Sequence, residues 1–195
     1  MEREYKWAAD KEQFTAICTA LALDFATVSP IFMDAAYFDT ADGMLRDQKI
    51  GLRLRRENEE TVCCMKLRNA AQNGLHVHEE YECPAETLTE GLSKLVSVGA
   101  PTALCQTLLQ TSLIAIAHVS FMRQPIVWKT EQFSAELCLD EGHLANNTRK
   151  LAFCEIECEY KSGDIAMFEA ACTELAERFA LHTEPHSKLA RALSL

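Results

Sequence analysis

The chain has 195 residues, of which 48% are hydrophobic, and its formal net charge at pH 7 is −10. This length and apolar content predict one sizeable globular domain over residues 1–195, and the acidic balance excludes general nucleic-acid binding through surplus Lys and Arg. No apolar run reaches the roughly 18 residues of a membrane-spanning helix, so neither nucleic acid nor membrane is expected as a partner.

Nine cysteines are spread along the chain without paired CxxC motifs, and their odd number leaves at least one unpaired. No apolar signal segment follows Met1. We therefore expect mostly buried free thiols and a cytoplasmic location, because disulfides are rare in reducing compartments.

The first half of the chain predicts a strand, a helix, four further strands and two more helices. Residues 1–7 alternate with period two, which places Glu2, Glu4 and Lys6 on one strand face. Asp10 is placed as the N-cap of a helix over 11–25. The later strands are predicted over 35–40, 50–57, 61–68 and 76–82, and the later helices over 85–99 and 101–110.

The second half repeats the strand pattern and adds one amphipathic helix. Asp164 is placed as the N-cap of this helix, which is predicted over 164–181. The strands are predicted over 116–124, 125–130, 133–142 and 152–163. With about eight strands in all, the fold class is α+β.

Seven of these strands carry ionisable side chains on one face. If those faces pointed to solvent, same-sign neighbours such as Arg53 and Arg55 would repel each other without benefit. If they point into a shared channel, acids and bases complement one another and a bound ion. The pattern therefore predicts a closed eight-stranded antiparallel β-barrel, a tunnel with a polar interior and helices packed outside.

The chemistry of such an interior favours two kinds of ligand. Arginine and lysine side chains in a row are suited to several phosphate groups. Clustered carboxylates would repel phosphate but bind hard divalent cations, which bridge to phosphate oxygens. The cations that offer positive charge to this interior are Lys6, Arg53, Arg55, Lys66, Arg68 and Arg123. Together they predict a metal ion and a polyphosphate.

An ordered set of motifs resembles the CYTH family, also called triphosphate tunnel metalloenzymes. "EREYK" is similar to the family signature ExExK, and "YFDTADGMLRDQKIGLRLRREN" to its second segment. The later motifs are "CMKLR", "EEYE", "FMRQ", "AELCLDEG", "CEIECEYKSGD" and "SKLARAL". The resemblance spans residues 2–193 and looks closest to bacterial inorganic triphosphatases.

The resemblance implies roles for individual residues. It implies Mg²⁺ or Mn²⁺ binding by Glu2, Glu4, Glu155 and Glu157, supported by Asp140 and by Glu80 or Glu82. It implies phosphate binding by Lys6, Arg53, Arg55, Lys66, Arg123 and Lys188. The residues assigned to the catalytic step are Glu4, Lys6, Arg55 and Asp140. His78 departs from the pattern, because relatives often carry Arg there; one phosphate contact is then lost or depends on pH.

The function that the resemblance implies is metal-dependent hydrolysis of inorganic triphosphate to pyrophosphate and phosphate. Thiamine triphosphatase, nucleoside triphosphatase and adenylate cyclase activity in the same tunnel are alternatives, and a non-catalytic polyphosphate-binding module is another. A monomer or homodimer is expected. Crowding of the carboxylates is expected to raise some of their pKa values in the absence of metal.

Overall fold

The computed structural model describes residues 2–72 and 75–195, and for residues 68–72 it describes the backbone alone. The strands are β1 (Glu2–Ala8), β2 (Ile31–Thr40), β3 (Ile50–Glu57), β4 (Glu60–Gln72), β5 (Leu75–Pro84), β6 (Leu113–Lys129), β7 (Phe133–Ala145), β8 (Lys150–Gly163) and β9 (His182–Thr183). The α-helices are α1 (Lys11–Ala20), α2 (Met44–Asp47), α3 (Leu88–Leu95), α4 (Thr102–Leu109), α5 (Ile165–Arg178) and α6 (Lys188–Leu193).

Eight strands form a closed antiparallel barrel, as predicted. They follow the order β5-β4-β3-β2-β6-β7-β8-β1, and β1 pairs with β5 to close the ring. Glu2 lies opposite His78 in that closing pair, while Lys6 lies opposite Glu157 of β8. The two-residue β9 pairs with β1 beside the barrel. Closure leaves β1, which carries the opening charge pattern, hydrogen-bonded on both sides.

Two apolar clusters pack helices against the outside of the barrel. Trp7 on β1 packs with Phe14 of α1 and Phe168 of α5, and all three side chains are buried. Leu52 and Met65 pack similarly beneath α3 and α4. Burying each such side chain contributes about 1.5–3 kcal/mol. These clusters hold the apolar strand faces outward and leave the ionisable faces for the interior.

A third apolar cluster brings α6 into contact with the inner wall. Met33, Tyr37 and Phe121 line the barrel cavity and belong to the same cluster as Ala192 of α6. Ser187 caps α6 by accepting a hydrogen bond from the backbone N–H of Ala190, 3.1 Å away. The C-terminal helix is therefore placed with its first residue, Lys188, inside the barrel.

The helix starts follow the sequence prediction more closely than the helix ends. Asp10 forms a capping box with Gln13, as its position predicted. The first helix, however, stops at Ala20, five residues before the predicted end. Ala22 adopts a left-handed φ of 53°, and the N–H of Leu23 bonds to the carbonyl of Cys18 at 2.8 Å. This bonding pattern ends the helix although the apolar spacing continues.

Strand β6 corrects the prediction of two separate strands on either side of Pro125. It runs unbroken through that proline, which lies opposite Cys138 of β7. On the other side of β6, pairing with β2 ends at Arg123. Pro125 therefore lies where only one neighbour requires hydrogen bonds, a position in which a strand tolerates proline.

The nine thiols are free, as predicted, and we expect them to resist modification in the folded protein. Eight are buried, and Cys154 is half-buried. Burial raises the pKa of Cys63 to about 12 and that of Cys18 to about 11. Because the thiolate is the reactive form, a disulfide reagent at about pH 8 should quickly modify at most one thiol, the half-buried Cys154. All nine should react after denaturation, and rapid reaction of several in the native protein would contradict this packing.

Candidate functional site

A cavity of about 590 Å³ lies inside the barrel and collects most of the sequence-predicted site residues. The residues predicted to bind phosphate all line it: Lys6, Arg53, Arg55, Lys66, Arg123 and Lys188. The predicted carboxylates that line it are Glu2, Glu4, Glu80, Glu82 and Glu157. Asp140 and Glu155 lie just behind this lining, fully buried and in contact with Lys188. Strands far apart in sequence thus present both signs of charge to one space.

One part of the site is a buried cluster of three carboxylates on β7 and β8. Asp140, Glu155 and Glu157 each place an oxygen within 4.8 Å of the others. Lys188 contacts all three, with its Nζ 2.7 Å from Asp140 Oδ2 and 2.9 Å from Glu157 Oε1. Arg123 donates two hydrogen bonds to Asp140, at 2.8 and 2.7 Å. The cluster is therefore held together by cations from α6 and β6.

Strand β1 supplies the next pair of charges. Lys6 Nζ lies 3.0 Å from Glu157 Oε1 and 3.5 Å from Glu4 Oε1. Lys6 and Glu4 are only 4% and 5% exposed. Period-two alternation explains this arrangement, because Trp7 on the opposite face is buried under the helices. Lys6 consequently links the predicted ExExK motif to the carboxylate cluster.

A second network runs across β3, β4 and β5. Arg53 pairs with Glu80 at 3.3 Å, and Arg55 pairs with Glu82 at 3.1 Å. Lys66 lies opposite Glu80 and contacts its Oε2 at 3.2 Å. Lys66 also contacts Glu2 Oε2 at 2.5 Å, which joins this network to β1. The side chain of Arg68, predicted to share this face, lies outside the described residues.

The carboxylates divide into two electrostatic groups, and where a pKa is raised the main cause is burial, with the expected crowding of like charges a smaller contribution. Burial raises the pKa of Glu155, and burial together with a hydrogen bond that Glu2 donates to Glu80 raises that of Glu2 to about 9. Burial alone would raise the pKa of Glu157 too, but the charges of Lys188, Lys6 and Arg123 hold it well below its usual range. The pKa of Glu4 is lowered in the same way by Lys6.

The donor sets of the site fit a hard divalent cation best at one place. Asp140, Glu155 and Glu157 offer oxygen ligands only, which suits Mg²⁺ or Mn²⁺. Another set, Cys64 with Glu80 and Glu82, includes a soft sulfur donor and fits such an ion less well. Glu2 and Glu4, also predicted as metal ligands, lie in ion pairs with Lys66 and Lys6, as Glu157 does with Lys6 and Lys188.

Three further residues take part in the site without a role assigned from the sequence. Arg191 contacts Glu155 and also Glu184, at 3.4 Å. Its spacing of three from Lys188 on a helix would have indicated a shared face. Cys64 lines the cavity and alternates with Lys66, so period two would have found it. Tyr37 accepts a hydrogen bond from Arg53 at 3.3 Å, a contact without a local sequence signal.

The fold and the site define the class of this protein, which is a closed antiparallel β-barrel with a charged interior. A family model described as the CYTH domain matches residues 1–193. The chain therefore belongs to the CYTH family. No helix among the described residues is long and apolar enough to cross a membrane.

Individual relatives are more distant. An inorganic triphosphatase of Haemophilus influenzae is 29% identical over 136 residues, a match that covers 69% of this chain but 38% of that protein. The chain thus spans less than half of that relative's length.

Solved structures share the fold at low sequence identity. A Hippeastrum protein, described as a candidate adenylyl cyclase with a dominant triphosphatase activity, superposes with a TM-score of 0.67 at 19% identity. That alignment covers 100% of this chain and 96% of the other. The PH1819 protein of Pyrococcus horikoshii gives a TM-score of 0.63 at 16% identity, with 100% and 99% covered. At these identities the likeness concerns the fold alone.

Proposed function

We propose that this protein hydrolyses inorganic triphosphate to pyrophosphate and phosphate in a metal-dependent reaction inside the barrel. The observation that carries the proposal is the convergence of six cations on one cavity, beside buried carboxylates: Lys6, Arg53, Arg55, Lys66, Arg123 and Lys188. The likeness to an inorganic triphosphatase supports the same substrate.

The cations are arranged to bind a chain of phosphate groups rather than a single one. Arg53 and Arg55 on β3 and Lys66 on β4 form one side, and Lys6 and Lys188 form another. In the structure each of these Lys and Arg side chains pairs with a carboxylate, so its position is fixed before a ligand binds. Phosphoryl transfer depends mainly on positioning and charge neutralisation, which such fixed cations provide.

Asp140, Glu155 and Glu157 are the residues that would hold a divalent cation, with Glu2, Glu4, Glu80 and Glu82 as further proposed acidic ligands. A Mg²⁺ or Mn²⁺ ion held there would supply positive charge to the phosphoryl oxygens and to the attacking water. In the hydrolysis, water attacks the terminal phosphorus, the bond to the bridging oxygen breaks, and pyrophosphate leaves. Glu4, Lys6, Arg55 and Asp140 are the residues to which we assign this step, through substrate binding and ligand orientation.

Phosphate release from a panel of substrates tests the proposal. The panel is inorganic triphosphate, thiamine triphosphate, ATP and pyrophosphate, each with Mg²⁺ and with Mn²⁺. We expect metal-dependent release, fastest with inorganic triphosphate. A binder without activity would give heat in calorimetry but no phosphate, and faster turnover of thiamine triphosphate or ATP would replace the proposed substrate.

Two substitutions test whether the activity lies inside the barrel. Glu4→Gln and Arg55→Ala should each lower kcat/KM by about tenfold or more, because each removes a charged contact to substrate or metal. Arg56→Ala is the matched control, since Arg56 follows Arg55 on β3 but is exposed, with its guanidinium over Phe32. Near-wild-type rates in both Glu4→Gln and Arg55→Ala would contradict the tunnel mechanism.

The wider setting of the activity is also part of the proposal. We propose that residues 1–195 form a single CYTH domain that works as a monomer or homodimer. A cytoplasmic location suits the nine free thiols, because an oxidising compartment would favour disulfides.

A further inference from the structure

Lys49 is a cation of the cavity lining whose charge the protein leaves unpaired. It directly precedes β3, lines the cavity and is exposed. Every other described lysine or arginine of the lining forms an ion pair with a carboxylate, whereas Lys49 forms none among the described residues. Its positive charge is therefore available to an anion inside the cavity.

The inner face of β3 gives this charge a direction. The residues that line the cavity along the strand are, in chain order, Lys49, Gly51, Arg53, Arg55 and Glu57. Arg53 and Arg55 are the proposed phosphate contacts. Beyond them, Glu57 accepts a hydrogen bond from Arg55 Nε at 2.7 Å and would repel a further phosphate group. Along this strand a chain of phosphates can therefore extend past the arginines only toward Gly51 and Lys49.

The end of the barrel at which β3 finishes is acidic as a whole. Glu57 and Glu82 line the cavity there, and so do Glu136 and Glu159, because β5 and β8 end and β7 begins at the same rim of the antiparallel barrel. We call these four residues the acidic rim. A polyanion is repelled at the acidic rim and attracted at the opposite end, where Lys49 lies.

Gly51 leaves open space between Arg53 and Lys49. It is half-buried in β3, and a Cβ at this position would meet nothing closer than Leu189 Cδ2 at 3.9 Å and the carbonyl oxygen of Lys66 at 4.0 Å. The packing of the protein therefore does not require glycine here. A glycine inside a strand often marks a place where a ligand approaches the backbone closely. The row of arginines is thus continued by space without protein atoms.

The backbone of Lys49 favours a residue other than lysine. Its φ is 59°, in the left-handed region where glycine fits and residues with a Cβ are disfavoured. Its N–H donates to the carbonyl of Arg46 at 3.0 Å in the turn that follows α2. Because glycine would suit this turn better, the turn alone does not explain the lysine. A role for the charged side chain does.

We propose that Lys49 and Gly51 form an additional phosphate subsite, which binds the phosphate group beyond the third in a linear inorganic polyphosphate. The inference rests on the proposed function and deepens it, because it extends the substrate class from triphosphate to longer chains. Tetraphosphate is hydrolysed in the same way as triphosphate: water attacks a terminal phosphorus, the bond to the bridging oxygen breaks, and triphosphate leaves.

The test compares the affinity for inorganic tetraphosphate with that for inorganic triphosphate. Calorimetry without metal gives the two Kd values, and their ratio is the chain-length preference. We expect the wild type to bind tetraphosphate about three- to tenfold more tightly, since an exposed charge contributes less than a buried one. Lys49→Gly should lose most of this preference, and Lys49→Arg should keep it. Gly51→Ala should reduce it, because the added methyl group occupies the proposed subsite.

The control removes a lysine from the other end of the cavity. Lys161 lines the cavity and pairs with Glu159 and Glu136 of the acidic rim. Lys161→Met should therefore keep the chain-length preference. Melting temperatures separate these effects from damage to the fold, because Lys49→Gly relieves a left-handed backbone and Gly51→Ala favours the strand. Neither variant should melt below the wild type.

The outcomes for the subsite and for the proposed function are distinct. A wild type without a preference for tetraphosphate, or a Lys49→Gly variant that keeps it, would overturn the subsite. An equal loss in the Lys161→Met variant would also overturn it, because the effect would then follow overall charge. Phosphate release with Mg²⁺ tests the proposed function: a wild type that prefers tetraphosphate but hydrolyses neither chain would refute the activity and leave the subsite standing.

Discussion

Replacing Glu157 by Gln is expected to lower kcat/KM for inorganic triphosphate by about two to three orders of magnitude. Glu157 contacts three cations, with Lys6 at 3.0 Å, Lys188 at 2.9 Å and Arg123 at 2.5 Å. The substitution keeps the size of the side chain but removes the charge that orients all three. It also removes one of the three carboxylates suited to a divalent cation.

The measurement is the steady-state rate of phosphate release as a function of Mg²⁺ concentration. We expect the variant to need more Mg²⁺ and to stay slow at saturation, because cation positioning and metal binding are both impaired. Glu159→Gln is the matched control: Glu159 is two residues further along β8, is partly exposed and pairs with Lys161. A Glu157→Gln enzyme within a few-fold of wild type would show that the carboxylate cluster is not part of the active site.

Replacing Lys188 by Met is expected to produce the largest loss of stability among substitutions in the site. Lys188 is 7% exposed and lies within ion-pair distance of Asp140, Glu155 and Glu157. Removing one partner of a buried ion cluster costs about 3–5 kcal/mol, because the remaining charges are left uncompensated. For a chain of this length that corresponds to a drop in melting temperature of about 6–20 °C.

Metal should reverse much of this loss. With the Lys188 ammonium gone, the three carboxylates repel one another until a divalent cation binds, so added Mg²⁺ or Mn²⁺ should stabilise the variant more than the wild type. Thermal unfolding with and without metal, monitored by circular dichroism, measures the difference. Lys161→Met is the control, because Lys161 is exposed and pairs with acids near the end of the barrel. A similar metal response in the Lys188→Met variant and the wild type would argue against metal binding at this cluster.

The sequence was sufficient to predict which face of each strand carries the site. Glu2, Glu4 and Lys6 line the cavity because strand geometry places alternate residues on one side, and that rule needs no knowledge of the partner strand. The same rule placed Arg53 and Arg55 on the inner face of β3. Barrel closure followed from requiring that these faces meet rather than repel one another in solvent.

The pairing between side chains could not be predicted in the same way. Lys188 reaches its three carboxylates only because α6 packs against the inner wall through Ala192, a long-range contact that no local pattern records. The predicted metal set likewise treated Glu2 and Glu4 as equivalent to Glu155 and Glu157. In the structure Glu2 pairs with Lys66, Glu4 and Glu157 share Lys6, and Glu155 and Glu157 share Lys188. This arrangement depends on strand register and tilt.

The position of β1 between β5 and β8 has a consequence for how the protein folds. Strand β1 leaves the ribosome well before β8, the strand with which it pairs, since Lys6 lies opposite Glu157. Until β8 has been synthesised, one edge of β1 therefore has no partner in the ring, and the charged interior cannot form. Pairing across such a sequence separation is slow, because a long loop must close before any contact compensates for its entropy. The closing step of the barrel and the assembly of its ionic centre are thus expected to be one late kinetic event, with an incomplete chain exposing an open strand edge that is prone to association.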